Sequence, residues 1–219
     1  MSFADSVPWM ITLYGYPGSA SLAPHVLLEE AGAEYRFVVP TREGPDAGPP
    51  EFLAASPHRR LPAIVDGPLM LTEAAAICMH VADRYPDALL GPPAGDPARA
   101  DWYRWLVYLS NTPQAALYQY IYPERYVTGT GHADAAKQAA DVTLGGIWDW
   151  IDGELADRTF LVGDRFSAAD VYLWMLGRWS RHQSNPAFAR PHLRRFWDLM
   201  LERPSLLAVI KQEELAWVP

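Results

Sequence analysis

The sequence predicts an α/β module followed by an all-helical domain, and three observations carry that prediction. Up to Tyr85, short apolar runs alternate with amphipathic stretches in the order β-α-β-α-β-β-α. The segment Pro86–Pro97 then holds four prolines and two glycines, the composition of a stiff linker. Beyond it, apolar residues recur at helical spacing and no strand pattern returns. The domains are therefore read as residues 1–85, a linker at 86–97, and residues 98–219.

Each element has its own signal. Ile11 to Leu13 is a short buried strand. From Ser21 to Gly32, Leu22, Val26, Leu27 and Ala31 form a helical stripe closed by a glycine. Tyr35 to Val39 alternates and then turns apolar, as a second strand does. Thr41 to Pro50 is a Gly/Pro loop, and a short helix covers Pro50 to Ala55. Ala63–Val65 and Leu69–Leu71 flank Asp66-Gly67, a hairpin signal. Thr72 caps a helix running to Tyr85. Helices follow at about 98–122, with a kink at Pro113, and at about 134–157, 167–182, 189–202 and 204–215. Ser167-Ala-Ala-Asp170 is a capping box with an acidic third position, and Phe166 before it is placed to staple onto Val171.

Composition bounds the function. Of 219 residues, 50% are apolar and 20% charged, as in ordinary soluble proteins. A formal charge of −8 argues against nucleic acid and against anionic membrane surfaces as partners. No run approaches the ~20 apolar residues of a membrane span. Cys78 is the single cysteine, which excludes an internal disulfide and fits a reducing compartment. Met1–Pro8 has neither the basic region nor the apolar run of a secretory signal, so a cytoplasmic location is expected. The six histidines show no metal-ligand spacing, and no metal is expected. The nine Trp and eleven Tyr suit core packing and leave room for an aromatic-lined cleft. Arg178, Arg181, Arg190, Arg194 and Arg195 read as a solvated face.

The chemistry concentrates at the first helix. Proline has no N–H, so Pro24 fits the first helical turn. With Pro24 at the third helical position, Ser21 is the cap, and one donor that a capping hydroxyl usually receives is missing. The Ser21 hydroxyl is thereby freer to face a ligand, although a plain cap remains an alternative. The helix N-terminus favours an anion there by ~0.3–1 kcal/mol. A thiolate is such an anion. A free thiol of pKa ~8.5 is mostly protonated at neutral pH, and only its thiolate is nucleophilic.

These segments resemble the cytosolic glutathione transferases, nearest to their bacterial, beta-like members. The resemblance runs from about residue 10 to 215 and is carried by Pro17-Gly-Ser-Ala-Ser-Leu22, by Leu61-Pro62 with Thr72-Glu73, and by Phe166–Asp170. It implies a thioredoxin-like N-terminal domain and an all-helical C-terminal one. Beta-like relatives carry a catalytic cysteine where this chain has Ala20, so mixed-disulfide chemistry through that side chain is impossible here. Ser19 and Ser21 flank the gap and are candidate donors to the sulfur, with Tyr14 a third, or else a core tyrosine with a wet tip. Leu61-Pro62 resembles a cis-proline turn whose backbone pairs with the cysteinyl part of glutathione. Glu73 would meet the γ-glutamyl ammonium, with Ala74 keeping a backbone N–H where relatives have Ser or Gly. Arg60, in a basic cluster with His58 and Arg59, is either a surface charge or a clamp on the glycine carboxylate.

In the helical domain, Trp105, Tyr108, Asn111, Gln114 and Tyr118 recur at helical spacing as one aromatic-polar face. By resemblance, this face lines an electrophile site between the domains and packs against a partner subunit. The implied activity is conjugation of glutathione, as co-substrate, to a small hydrophobic electrophile by a cytoplasmic homodimer engaged in detoxification. A glutathione-dependent reductase, dehalogenase or isomerase, and a non-catalytic binding or regulatory module, are alternatives on the same scaffold.

Overall fold

Residues 9–41 and 48–216 are described by the computed structural model. Met1–Pro8 and residues 42–47, on which two of the sequence readings fall, lie outside the described residues. Two compact units result. One holds the described residues up to Ala88 together with Ser205–Leu215, and the other runs from Leu89 to Pro204.

The first unit is built on four strands, β1 (Ile11–Tyr14), β2 (Tyr35–Val38), β3 (Ala63–Asp66) and β4 (Leu69–Thr72), in the order β2-β1-β3-β4. β1 runs parallel to β2 and antiparallel to β3, and β3 turns back into β4. Strand side chains alternate between faces. Tyr14 and Ala63 cluster with Phe52 and Ala55 of α2 (Pro50–Ala55). On the opposite face α1 (Leu22–Glu30) packs against α3 (Ala74–Arg84), burying Leu22, Val26, Leu27, Ile77 and Val81 completely.

The last helix, α9 (Pro204–Gln212), corrects the reading of 98–219 as one domain, because it belongs with the first unit. Its anchors are polar and come from distant sequence. The Ser205 hydroxyl donates to Glu30, and the Tyr35 hydroxyl, which donates to Glu29 (2.8 Å), lies 3.3 Å from the Gln212 side-chain oxygen. Nothing in the periodicity of α9 signals those partners.

The second unit holds α4 (Ala98–Asn111), α5 (Pro113–Ile121), α6 (Ala133–Glu154), α7 (Ala168–Trp179) and α8 (Pro191–Met200). The single kinked helix expected over 98–122 is two helices. Thr112 ends one, and Pro113 takes the first position of the next, where its missing N–H costs nothing. Trp102, Trp105, Trp148 and Trp174 fill the interior. The capping box is present at the start of α7, which is buried along its whole length. Phe166 meets Phe160 edge-on at 6.0 Å and lies under the Arg203 guanidinium. The arginine reading needs correction too. Arg178 and Arg190 are buried, and Arg190 bonds Asp149 at 2.7 Å and the carbonyl oxygens of Gly145, Asn185 and Pro186. Among the described residues, no helix is long and apolar enough to cross a membrane.

Candidate functional site

Strand register gathers the candidate residues of the first unit. Tyr14, the last residue of β1, pairs with Ala63, the first of β3, and Ala63 pairs with Thr72, the last of β4. One end of the sheet therefore carries the turn after β1, the Leu61-Pro62 segment and the Glu73-Ala74 helix start. The Leu61–Pro62 peptide bond is cis.

Ser19 N–H donates to the Tyr16 carbonyl at 3.0 Å, closing a turn over Pro17 and Gly18. Gly18 sits at φ 69, which suits a glycine after a proline in a type II turn. Pro24 is the third residue of α1 and Ser21 precedes the helix, as expected, yet the outcome differs. Ser21 has helical backbone angles (φ −73, ψ −16), makes no side-chain cap bond and is fully buried. Its Oγ accepts from the Tyr16 N–H at 3.1 Å and lies 3.1 Å from the Tyr16 carbonyl as donor. The hydroxyl freed by Pro24 thus clasps its own loop rather than facing outward. Ser19 is half-buried. Its Oγ lies 3.0 Å from Ser21 Oγ and receives the Ser21 N–H at 3.3 Å. Ala20 between them is buried.

Tyr14 is turned away from this turn. Its hydroxyl donates to Glu51 at 3.2 Å, and its ring lies 5.4 Å from that of Phe52. Burial, then the Glu51 carboxylate, pushes the phenol pKa upward, so it stays protonated with its one proton already placed. The core-tyrosine alternative describes it.

Glu73 is exposed and occupies the cap position of α3 at φ 69, which displaces Thr72 from the role expected of it. Ala74, buried, is the first helical residue. Arg60 is exposed together with His58 and Arg59. Its backbone N–H and carbonyl are both held by the Ser56 hydroxyl, at 2.9 and 2.8 Å.

The expected aromatic-polar face divides in two. Tyr108 is half-buried on α4, edge-on to Trp105 at 5.9 Å and to Trp150 of α6 at 4.8 Å. Burial raises its phenol pKa, against the pull of Arg104. Asn111 is exposed at the end of α4. On α5, Gln114 is buried, accepts from the Tyr172 hydroxyl and donates to Tyr118 at 3.2 Å. Tyr118 stacks toward Trp179 at 5.7 Å. Gln114 is therefore an internal link between α5 and α7, and the helix break at Thr112 is what separates it from Tyr108.

One pair escaped sequence reasoning. His25 in the first turn of α1 and Glu213 just after α9 are both fully buried side chains. The His25 Nδ1–H donates to Glu213 Oε1 at 2.7 Å, and the Gly18 N–H donates to Oε2 at 2.7 Å. The His25 ring stacks on Phe37 at 4.4 Å. With the partners 188 positions apart, no local pattern announces the pair. Among the described residues, no group of three or more His, Cys, Asp or Glu side chains is arranged to hold a metal ion.

Comparison with known proteins covers both units. Residues 10–83 match the family model "Glutathione S-transferase, N-terminal domain", and residues 109–204 match "Glutathione S-transferase, C-terminal domain". The chain is 28% identical over 211 residues to the Escherichia coli glutathione S-transferase GstA, covering 93% of this chain and 98% of that one. A bacterial beta class glutathione S-transferase structure from Sphingomonas chungbukensis is 32% identical, with a TM-score of 0.82 over 94% of this chain and all of that one. A sphingomonad glutathione S-transferase structure complexed with glutathione is 31% identical, with a TM-score of 0.81 over 94% of this chain.

Proposed function

The chain belongs to the glutathione S-transferase family, and on that premise we propose that it conjugates glutathione to a small apolar electrophile, with Ser19 as the hydroxyl that meets the sulfur. The observation carrying this reading is the strand register that sets the Tyr16–Ser21 turn, Leu61-Pro62 and Glu73-Ala74 at one end of the sheet. On this reading the Leu61 backbone aligns the cysteinyl unit, and the N–H of Ala74 and the Glu73 carboxylate take the γ-glutamyl end. Arg60 is the candidate for the glycine carboxylate. A glutamate at φ 69 is backbone strain of ~1–3 kcal/mol that Gly would avoid, and such outliers concentrate at ligand sites.

The two serines have different tasks in this reading. Ser21 Oγ accepts the Tyr16 N–H and donates to the Tyr16 carbonyl, so its proton is committed to its own loop. Ser19 Oγ accepts the Ser21 N–H and keeps its own proton, which it can give to Ser21 Oγ or to a bound thiolate. On this reading Ser19 is the donor to the thiolate and Ser21 its positioning residue. The thiolate then bonds to the electrophilic carbon, and a halide departs or the carbanion takes a proton.

A hydrogen bond to a charged acceptor contributes about 1.5–3 kcal/mol, which is about 1–2 units of thiol pKa. Ser19→Ala should therefore raise the pKa of bound glutathione by about that much, read as thiolate absorbance against pH, while Tyr14→Phe leaves it in place. Equal shifts from both variants would reject the assignment. Calorimetric titration with glutathione tests the reading itself.

Tyr108 and Asn111 on α4, and Tyr118 on α5, are proposed contacts for the electrophile, with Gln114 fixing the Tyr118 hydroxyl. Tyr108→Ala should raise the KM for a chlorinated aromatic acceptor by about tenfold, equivalent to ~1.4 kcal/mol of lost contact, and leave the KM for glutathione unchanged. A change in both would place Tyr108 in the fold rather than at the acceptor. The proposal extends to a cytoplasmic homodimer acting in detoxification, consistent with a lone buried Cys78 whose thiol burial pushes up in pKa and keeps protonated.

A further inference from the structure

Beyond Tyr118, the same side of α5 ends in a cation that the conjugation chemistry has not used. Gln114, Tyr118 and Tyr122 lie four residues apart, on one side of the helix and its cap. Arg125 follows in the short helical turn Pro123–Arg125, and its side chain folds back over Tyr122. The rings form a ladder. Trp179 of α7 lies 5.7 Å from Tyr118, Tyr118 lies 6.3 Å from Tyr122, and the Arg125 guanidinium sits 4.2 Å from the Tyr122 centroid. Exposure rises along it, from buried Trp179 through half-buried Tyr118 to exposed Tyr122 and Arg125.

A guanidinium over an aromatic face is held by the ring quadrupole, and its N–H donors lie in its own plane. The stacked group therefore keeps a flat fork of donors, the shape that pairs with a carboxylate. Its charged neighbour is Glu124, with Oε1 3.9 Å from the Arg125 Nε, and water weakens that pair because the side chains are 68% and 63% exposed. The field of the whole chain works against an anionic guest, since the formal charge is −8. A preference for an acid over its own ester therefore needs a local cation.

We propose that Arg125 selects the electrophile: the site takes aromatic acceptors that carry a carboxylate, with the ring against Tyr118 and Tyr122 and the acid group on the Arg125 fork. This rests on the reading of Tyr118 as an electrophile contact and deepens it. With a chloroarene acid, the glutathione thiolate bonds to the carbon that bears chlorine, the carbon–chlorine bond breaks, and chloride leaves with its electron pair. The carboxylate takes no part in that step, so Arg125 acts through binding.

The probes are para-chlorodinitrobenzoate, with both nitro groups beside the chlorine, and its methyl ester. The ratio of kcat/KM for acid over ester, compared between wild type and variants, cancels their different intrinsic reactivities. Arg125→Gln should lower that ratio about threefold or more, the size of a partly exposed charge pair, and Arg125→Glu about tenfold or more. Arg125→Lys, which keeps the charge without the fork, should recover part of the loss. Raising the salt from about 0.1 M to about 1 M should also lower the wild-type ratio, because the screening length drops from ~10 Å to ~3 Å. Arg194→Gln removes an equal charge from α8 and should leave the ratio at its wild-type value. A smaller fall in Arg125→Gln, or an equal one in Arg194→Gln, would overturn the proposal. Calorimetric Kd values for dinitrobenzoate and its methyl ester, both lacking chlorine and measured without glutathione, should show the same dependence on Arg125. If that dependence appears while neither chloroarene is conjugated, the anion subsite stands and the transferase reading falls. Conjugation of both chloroarenes with no dependence on Arg125 keeps the transferase reading and removes the subsite.

Discussion

Asp170→Ala should destabilise the protein by about 3–5 kcal/mol, read from urea unfolding of the purified chain, the largest loss expected from any single side chain here. The carboxylate is fully buried and accepts three hydrogen bonds. Leu161 N–H reaches Oδ1 at 2.9 Å, while Ser167 N–H at 2.8 Å and the Ser167 hydroxyl at 3.0 Å reach Oδ2. Truncation leaves two backbone donors buried without acceptors, and each such group costs about 1–3 kcal/mol. The box at the start of α7 opens at the same time, and α7 is the helix buried on all sides in the second unit.

The same site sets a pH dependence with a definite sign. Burial pushes the Asp170 carboxyl pKa up to about 6, overcoming the lowering effect of its donors. The folded chain therefore holds this proton more tightly than the unfolded chain, whose carboxyl titrates near 3.8. Stability drawn from Asp170 is greatest below about pH 4 and declines as the pH rises through about 6. Asp170→Asn has no proton to lose, so the stability advantage of wild type over Asp170→Asn should narrow between those limits. An advantage that widens with pH would mean that hydrogen bonding, rather than burial, dominates the titration.

Most elements were legible in the sequence because local signals suffice for them. Strand runs around Asp66-Gly67, the Pro/Gly linker and the Ser167–Asp170 box each announce themselves within a few residues. The candidate site was legible as segments but not as contacts. Pro24 correctly located the start of α1, yet which acceptor the freed Ser21 hydroxyl would choose depends on where the Tyr16 peptide turns, and spacing carries no information about that. Tyr14 was assigned by its place at the end of β1, but strand alternation sends it to the face covered by α2, where Glu51 waits. Gln114 was placed on one face with Tyr108 by assuming a continuous helix, and the break at Thr112 removes that premise. The His25–Glu213 bond was out of reach because it is closed by tertiary packing of a helix that the linear order assigns to the other domain.

Gly15→Ala should cost less stability than Asp170→Ala but reach further into the site. Gly15 joins β1 to the turn, with its N–H on the Val38 carbonyl at 3.0 Å. A methyl group there would overlap the Phe37 ring and lie 2.5 Å from both Cβ and Oγ of Ser21. Neither neighbour can retreat freely. Ser21 is held by the Tyr16 backbone, and Phe37 is stacked on His25, which is tied through Glu213 to Gly18. Overpacking of this kind costs about 1–3 kcal/mol, and here it is relieved by moving the groups that orient Ser19. The expected result is a fall in glutathione affinity of tenfold or more by calorimetry, larger than the stability loss alone explains. Adding Phe37→Leu shortens one of the two obstructing side chains, so the double variant should regain stability and leave affinity low, because the overlap with Ser21 remains. Recovery of affinity along with stability would show that Phe37, and not the serine clasp, transmits the disturbance to the site.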